Sequence, residues 1–224
     1  MTLNEAMKIL EKIPNVPIKQ LFPEEELLDI KINKGKIGQL VEKITLKLKL
    51  SSNHLDFSNG ELKTNKCKAN GSPAETLAIC MASSIIDELN DINLNPINNY
   101  VMEKINNWIY MGINKANTND PTTWSFFKPI HVSRNNPKFN NWYKKLDEDF
   151  YFIRQHLYNC CNSNKMISST TSVGKYIQIR TKGAGHGKGA IFSKRYNRYV
   201  SDKSYGIYLT LDGIKALQKI GEEK

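Results

Sequence analysis

Leu3, Ala6, Met7, Leu10 and Ile13 recur at the three- and four-residue spacing of one helix face, which predicts a helix over 3–13 that Pro14 and Pro17 end. Pro23 followed by Glu24-Glu25-Glu26 has the proline and acids of another helical first turn. Asn33-Lys34-Gly35 reads as a turn. After it, Ile37, Leu40, Val41 and Ile44 make one face of a helix that carries Glu42 off that face. Leu46, Leu48 and Leu50 alternate with lysines, the pattern of a strand or of a helix end followed by loop. Residues 61–66 predict a strand, and Thr76–Met81 its partner across the turn-forming Asn70-Gly71-Ser72-Pro73. Trp108–Met111 is a third strand candidate. Phe139–Leu157 carries a helical stripe of Trp142, Leu146, Phe150, Ile153 and Leu157. Val173–Arg180 alternates most cleanly, Tyr208–Leu211 is a short strand or strand end, and Asp212 is placed to cap a last helix through Ile220. Asn90–Asn99 and Ala116–Thr123 read as polar loops. Helices and strands mix without strict βαβ alternation, so the class is α/β or α+β, with a mixed central β-sheet flanked by helices.

A chain of 224 residues suffices for one large domain or two smaller ones. Its formal charge of +10 comes from 32 lysines and arginines against 22 acids. A lysine-rich, AT-rich coding composition accounts for that charge, and so does a polyanionic partner. Clustering favours the partner. Lys175, Arg180, Lys182, Lys188, Lys194, Arg195, Arg198 and Lys203 fall in one stretch with Asp202 as its only acid, interleaved with tyrosines and glycines. The glycines are not a phosphate-binding P-loop, because Gly189 rather than Ser or Thr follows Lys188. Cys67, Cys80, Cys160 and Cys161 form no C-x-x-C pair, and the histidines are dispersed, which argues against a zinc site and for reduced thiols. Residues 1–10 are polar and amphipathic rather than signal-like, and no apolar run reaches membrane-span length. The expectation is a cytoplasmic protein with no membrane partner.

Asp56-Phe57-Ser58-Asn59-Gly60-Glu61-Leu62-Lys63 carries the candidate chemistry. On a strand, Glu61 and Lys63 point to one face and Leu62 into the core, while Ser58-Asn59-Gly60 turns Asp56 back toward that face. Two carboxylates, Asp56 and Glu61, plus the Leu62 carbonyl can hold a hard cation such as Mg²⁺. Lys63 can then orient the attacking water and offset charge on a phosphate. The spacing is that of the PD-(D/E)xK nucleases, and an ordinary hairpin with a solvated face has the same pattern.

Several separated motifs, in order, resemble the MutH/Sau3AI family of GATC-specific DNA endonucleases. Lys34-Gly35-Lys36-Ile37-Gly38-Gln39-Leu40-Val41-Glu42 is similar to the family's K-G-x-[IV]-G-x-L-[LV]-E helix. Asp56-Phe57 with Gly60-Glu61-Leu62-Lys63-Thr64 is similar to D-F…G-[IV]-E-L-K-T, and Gly71-Ser72-Pro73-Ala74-Glu75-Thr76 to the G-x-P-x-E-T turn. Gly174–Lys182 resembles G-x-Y-L-Q-[IL]-R-P-K, and Gly206-Ile207-Tyr208-Leu209 the late G-F-Y-L. The resemblance spans about residues 20–220.

It implies a restriction-endonuclease-like fold in a single endonuclease domain, which can form two lobes around a DNA cleft, a catalytic lobe over about residues 1–120 and a recognition lobe over about 121–224. It implies Asp56, Glu61 and Lys63 as the catalytic triad and Glu42 as an additional acid. Arg180, Lys182 and Tyr208 match positions that the family uses around the recognition sequence, Tyr208 at the place linked to sensing adenine methylation, and Lys34 and Gly35 are further DNA-binding candidates. Lys104 and Lys188 are further candidates for touching DNA. The loop between Asp56 and Glu61 is shorter than the mismatch-repair members lead one to expect, Thr181 stands for the proline of R-P-K, and the 183–199 segment is unlike its counterpart.

The activity so implied is Mg²⁺-dependent, sequence-specific cleavage of double-stranded DNA at GATC or a related site, as a type II restriction enzyme. Such an enzyme is a monomer in solution or a dimer on a palindromic site. The alternatives are a mismatch-repair nicking endonuclease and, from another class, a DNA-binding effector domain without catalysis.

Overall fold

The computed structural model describes residues 1–32, 36–48, 55–94, 99–115, 118–170, 174–182 and 189–223, with only the backbone at 31 and 32. The expected turn at Asn33-Lys34-Gly35, the DNA-binding candidates Lys34, Gly35 and Lys188, and Leu50 lie outside the described residues. The fold is α+β.

Two compact units make up the chain, and they interleave. One comprises Met1–Glu75, Lys104–Asn135 and Gly221–Lys224; the other comprises Thr76–Glu103 and Asn136–Ile220. The division is therefore not the single cut near residue 120 that a sequential pair of lobes suggests.

In the first unit, Thr2 opens helix α1 (Leu3–Leu10): its hydroxyl accepts from the Glu5 N–H at 3.3 Å, and the Glu5 carboxylate accepts from the Thr2 N–H at 2.7 Å. The helix stops at Leu10, before the expected Ile13, in a turn ahead of Pro14. Short helices α2 (Ile18–Leu21), α3 (Glu24–Ile32) and α4 (Ile37–Leu40) follow. A π-helical turn, Val41–Thr45, continues α4. Leu46 is buried just beyond it, Lys47 takes a positive φ of 55°, and no strand forms over 46–48, so the alternating leucines mark a helix end followed by loop.

Strand β1 (Glu61–Cys67) lies at one edge of a sheet whose centre is β3 (Asn107–Asn114). The two run parallel, with Glu61 opposite Trp108 and Lys63 opposite Tyr110. On the far edge of β3, β4 (Ser125–Phe126) and β5 (Ile130–Ser133) pair antiparallel with its two ends. Leu62, Ile109, Met111 and Ile113 face a core filled by Leu3, Leu10, Ile37, Leu40, Val41, Trp124 and Phe126.

The second unit holds β2 (Leu77–Met81), α5 (Ile86–Leu89), α7 (Asn140–Asn162), β6 (Ile177–Thr181), β7 (Ile191–Ser193), β8 (Arg198–Ser201), β9 (Tyr205–Leu209) and nearly all of α8 (Leu211–Glu222). Helix α6 (Tyr100–Asn106) carries the chain from this unit into β3. Strands β2, β9 and β6 form an antiparallel sheet in that order. So β2 is not the partner of β1. Cys67 and Pro73 make one isolated bridge, and the chain then leaves for the other unit.

The α7 stripe of Trp142, Leu146, Phe150, Ile153 and Leu157 is buried as its spacing predicts. Asp149, on the same buried face, accepts at one oxygen from the Lys175, Tyr176 and Ile177 N–H groups at 2.7, 2.5 and 3.4 Å, and so anchors the start of β6. Strand β6 accordingly begins at Ile177, later than the alternation suggests. The Thr210 hydroxyl, not Asp212, accepts from the Gly213 N–H at 3.0 Å at the head of α8, and Asp212 sits within the first turn.

Candidate active site

Burial of Leu62 fixes the face on which its neighbours stand: with Leu62 in the core, Glu61 and Lys63 project together from the other side of β1. The Lys63 ammonium lies 2.5 Å from Glu61 Oε1. Lys104, in the last turn of α6, places its ammonium 2.9 Å from Glu61 Oε1 and 3.0 Å from Oε2. Glu61 is only 2% exposed and Lys104 5%, so this buried carboxylate carries two cations. The structure thus gathers Lys104 with the acids of the first unit rather than leaving it as an isolated surface lysine. The sequence does carry the signal. Val101, Met102 and Ile105 are buried in the same helix, and a lysine between them falls on an apolar face.

Asp56 reaches the cluster through a tight turn. Phe57 and Gly60 form an antiparallel bridge, with the Phe57 N–H donating to the Gly60 carbonyl at 2.9 Å. Gly60 is required by space: a Cβ there would lie 2.5 Å from the Asn107 carbonyl oxygen. The returning Asp56 accepts from the Leu62 N–H at 2.8 Å and donates its own N–H to Glu61 Oε2 at 3.3 Å. Sequence reading missed how the turn is pinned. The Asn107 carboxamide donates to the Asn59 carbonyl at 2.6 Å, His131 Nε2 meets Asn107 Oδ1 at 2.8 Å, and the Leu3 N–H donates to Asn59 Oδ1 at 2.8 Å.

Glu42 stands in the π-helical turn after α4. Gly38, one turn earlier, packs against β1 so closely that a Cβ would meet Thr64 Oγ1 at 2.7 Å. Burial pushes the Glu42 carboxyl up from its ordinary 4.5 to about 7, and the Asp56 charge adds to the rise while Lys63 opposes it. Burial also raises Asp56, with Glu61 adding to the effect, against the lowering influence of the Leu62 N–H and the two lysines. The first unit therefore brings Glu42, Asp56, Glu61, Lys63 and Lys104 into one electrostatically coupled cluster.

Crowded, partly desolvated carboxylates that repel one another are the environment a hard cation relieves, and all the available donors are oxygens. Asp56 and Glu61 supply carboxylate oxygens of the kind such an ion takes. Among the described residues no three His, Cys, Asp or Glu side chains form a metal-holding group.

In the second unit, Arg180 on β6 donates to the Thr76 hydroxyl at 3.1 Å, and its guanidinium lies 6.0 Å from the centre of the Tyr208 ring. Tyr208 on β9 stands opposite Gln178 of β6. Burial raises the Tyr208 hydroxyl, and Arg180 opposes the rise. Lys182 directs its ammonium at Met81 Sδ, 3.3 Å away. Arg180, Lys182 and Tyr208 thus belong to one unit and the acids to the other. Among the described residues no helix is long and apolar enough to cross a membrane.

Neither a scan against protein-family models nor a search of the curated proteins finds a match to this chain.

Proposed function

We propose that this chain is a Mg²⁺-dependent endonuclease of double-stranded DNA, with a restriction-endonuclease-like catalytic unit and a restriction role at GATC or a related site. The observation that carries the reading is the cluster itself: Glu42, the Asp56–Lys63 segment and Lys104, from three separate stretches of the chain, come together beside β1. An ordinary hairpin with a solvated face has no reason to bury an acid under two lysines, since such desolvation costs stability unless it serves chemistry.

Asp56, Glu61 and the Leu62 carbonyl would hold the cation, which when bound polarises the scissile phosphate and acidifies water beside it. Lys63, held at the same face, orients the attacking water and offsets charge building on the phosphate oxygens. Glu42, with its carboxyl near neutrality, is suited to take the proton that this water loses. Lys104 holds Glu61 in place through both of its carboxylate oxygens. In-line attack breaks the bond to the 3′-oxygen and leaves a 5′-phosphate and a 3′-hydroxyl. Arg180, Lys182 and Tyr208 serve DNA binding, with Arg180 able to reach guanine in bidentate fashion. Cutting both strands of a palindrome takes two copies of the site or two successive visits.

The test is a plasmid digest in Mg²⁺ without any partner protein, followed by sequencing of the ends. Linear products with a common terminal sequence are expected, and Asp56→Ala should abolish them while DNA binding persists. Undiminished cutting by Asp56→Ala would refute the site. Slow nicking that accelerates only with a partner protein would shift the role from restriction to repair.

A further inference from the structure

Strands β7 and β8 form a hairpin of their own, outside both larger sheets. Its inner side is fully committed. Ile191, Ser193, Val200 and Ser201 are buried, and the Ser193 hydroxyl donates to Asp87. Asp87 also accepts the Lys194 N–H at 2.9 Å and the Arg195 N–H at 3.4 Å. Arg195 pairs with Asp91 at 3.3 Å, and Arg198 donates to the Cys161 carbonyl at 2.8 Å and the Lys165 carbonyl at 3.3 Å. The hairpin is therefore held in place by contacts along its length and at its turn.

Its outer side is aromatic. Phe192 and Tyr199 stand opposite each other across the two strands, 44% and 58% exposed. Their ring centres are 5.3 Å apart and their planes 78° apart, so the two rings make a corner open to solvent. Single exposed aromatics are ordinary, but a paired corner on an immobilised hairpin leaves apolar surface open among the described residues of the unit. The surrounding charge selects the occupant. From Gly189 to Ser204 the chain carries Lys194, Arg195, Arg198 and Lys203 against Asp202 alone. An exposed ring face in a segment with an excess of cations is complementary to a planar base flanked by phosphates.

We propose that the Phe192–Tyr199 corner is a stacking platform for a nucleobase displaced from, or exposed at the end of, a nucleic acid strand. The inference rests on the nuclease reading above and adds a contact that reads base planes rather than base sequence. Pinning by Asp87, Arg195 and Arg198 means the platform is already in its binding form, so little ordering is needed on contact.

The experiment measures binding of a fluorescein-labelled 30-base-pair GATC duplex, and of its single strand, to the full-length protein in Ca²⁺, across a salt series. Phe192→Ala/Tyr199→Ala should weaken binding about 5- to 100-fold, the range expected for loss of one stacked base. The slope of log affinity against log salt should stay as in the unaltered protein, because no cation is removed. Phe192→Tyr and Tyr199→Phe, which keep the rings, should retain affinity. An affinity of the double variant within twofold of the unaltered protein overturns the proposal. So does a loss of binding that coincides, in light scattering, with conversion of a dimer to a monomer, which would make the corner a self-association surface. Failure of the unaltered protein to bind either probe would instead overturn the nuclease reading.

Discussion

Gly38→Ala tests whether helix α4 needs its glycine to approach β1. The new Cβ would sit 2.7 Å from Thr64 Oγ1 but 3.9 Å from Thr64 Cβ. Only the hydroxyl is in the way, and Thr64 is β-branched and stiff at χ1. Overpacking of this kind costs about 1–3 kcal/mol. Alanine in place of a helical glycine otherwise gains up to about 1 kcal/mol. The net effect expected in the unaltered background is a loss of about 1 kcal/mol. In a Thr64→Ala background the obstruction is gone, and the same change should stabilise by about 0.5–1 kcal/mol. The sign therefore reverses, with a coupling of about 2 kcal/mol between the two sites. Urea denaturation of the four proteins closes this cycle. Cleavage should fall in Gly38→Ala and recover in the double variant, because Glu42 rides on the same helix. Stabilisation by Gly38→Ala with Thr64 intact, or a coupling below about 0.5 kcal/mol, would refute the reasoning.

Removing the buried Lys104 ammonium leaves Glu61 with Lys63 alone, so Lys104→Met should cost about 1.5–3 kcal/mol in thermal melts without divalent ions. Added Mg²⁺ should recover part of that loss. Burial holds the Glu42 carboxyl near 7, so the folded chain binds its proton more tightly than the unfolded one. This contribution makes cation-free stability fall as pH rises from about 4.5 to about 7 and then level off, and Glu42→Gln should flatten the fall in pH-dependent melts while ending cleavage. Asp149→Ala leaves the Lys175, Tyr176 and Ile177 amides without their carboxylate. A loss of about 3 kcal/mol or more is expected in denaturant titration, with Asp149→Asn less affected because one oxygen remains.

The arrangement of Asp56, Glu61 and Lys63 was legible because its information is local: a period of two sets the faces, and Ser58-Asn59-Gly60 sets the return of Asp56. The α7 stripe was legible for the same reason. What failed was long-range. Asn70-Gly71-Ser72-Pro73 has the residues of a hairpin turn, yet β1 takes β3 as a parallel partner forty-odd residues on, a pairing that no turn announces. The alternation at Leu46 and Leu48 comes from a helix end and a left-handed Lys47, not a ladder. Strands β4, β5, β7 and β8 have two to four residues each, too few for a period to register. The burial of Lys104 left a trace in its helix, but its partner did not, because an ion pair to Glu61 depends on the register of β1 against β3. Thr210 outcompeted Asp212 as a cap by a shift of two residues that composition does not distinguish.

The interleaving of the two units has a consequence for synthesis on the ribosome. Glu42, Asp56, Glu61 and Lys63 emerge early, but Lys104 and the strand that orders β1 come only after the chain has passed through Thr76–Glu103 of the other unit. Asn107, which pins the Asp56 turn, and His131, which meets Asn107, emerge later still. The nascent chain therefore holds its acidic residues without Lys104 until nearly half of it has been made, and without their full framework until more than half has. Any hydrolytic capacity of this cluster is withheld from the growing chain by the order of its own segments.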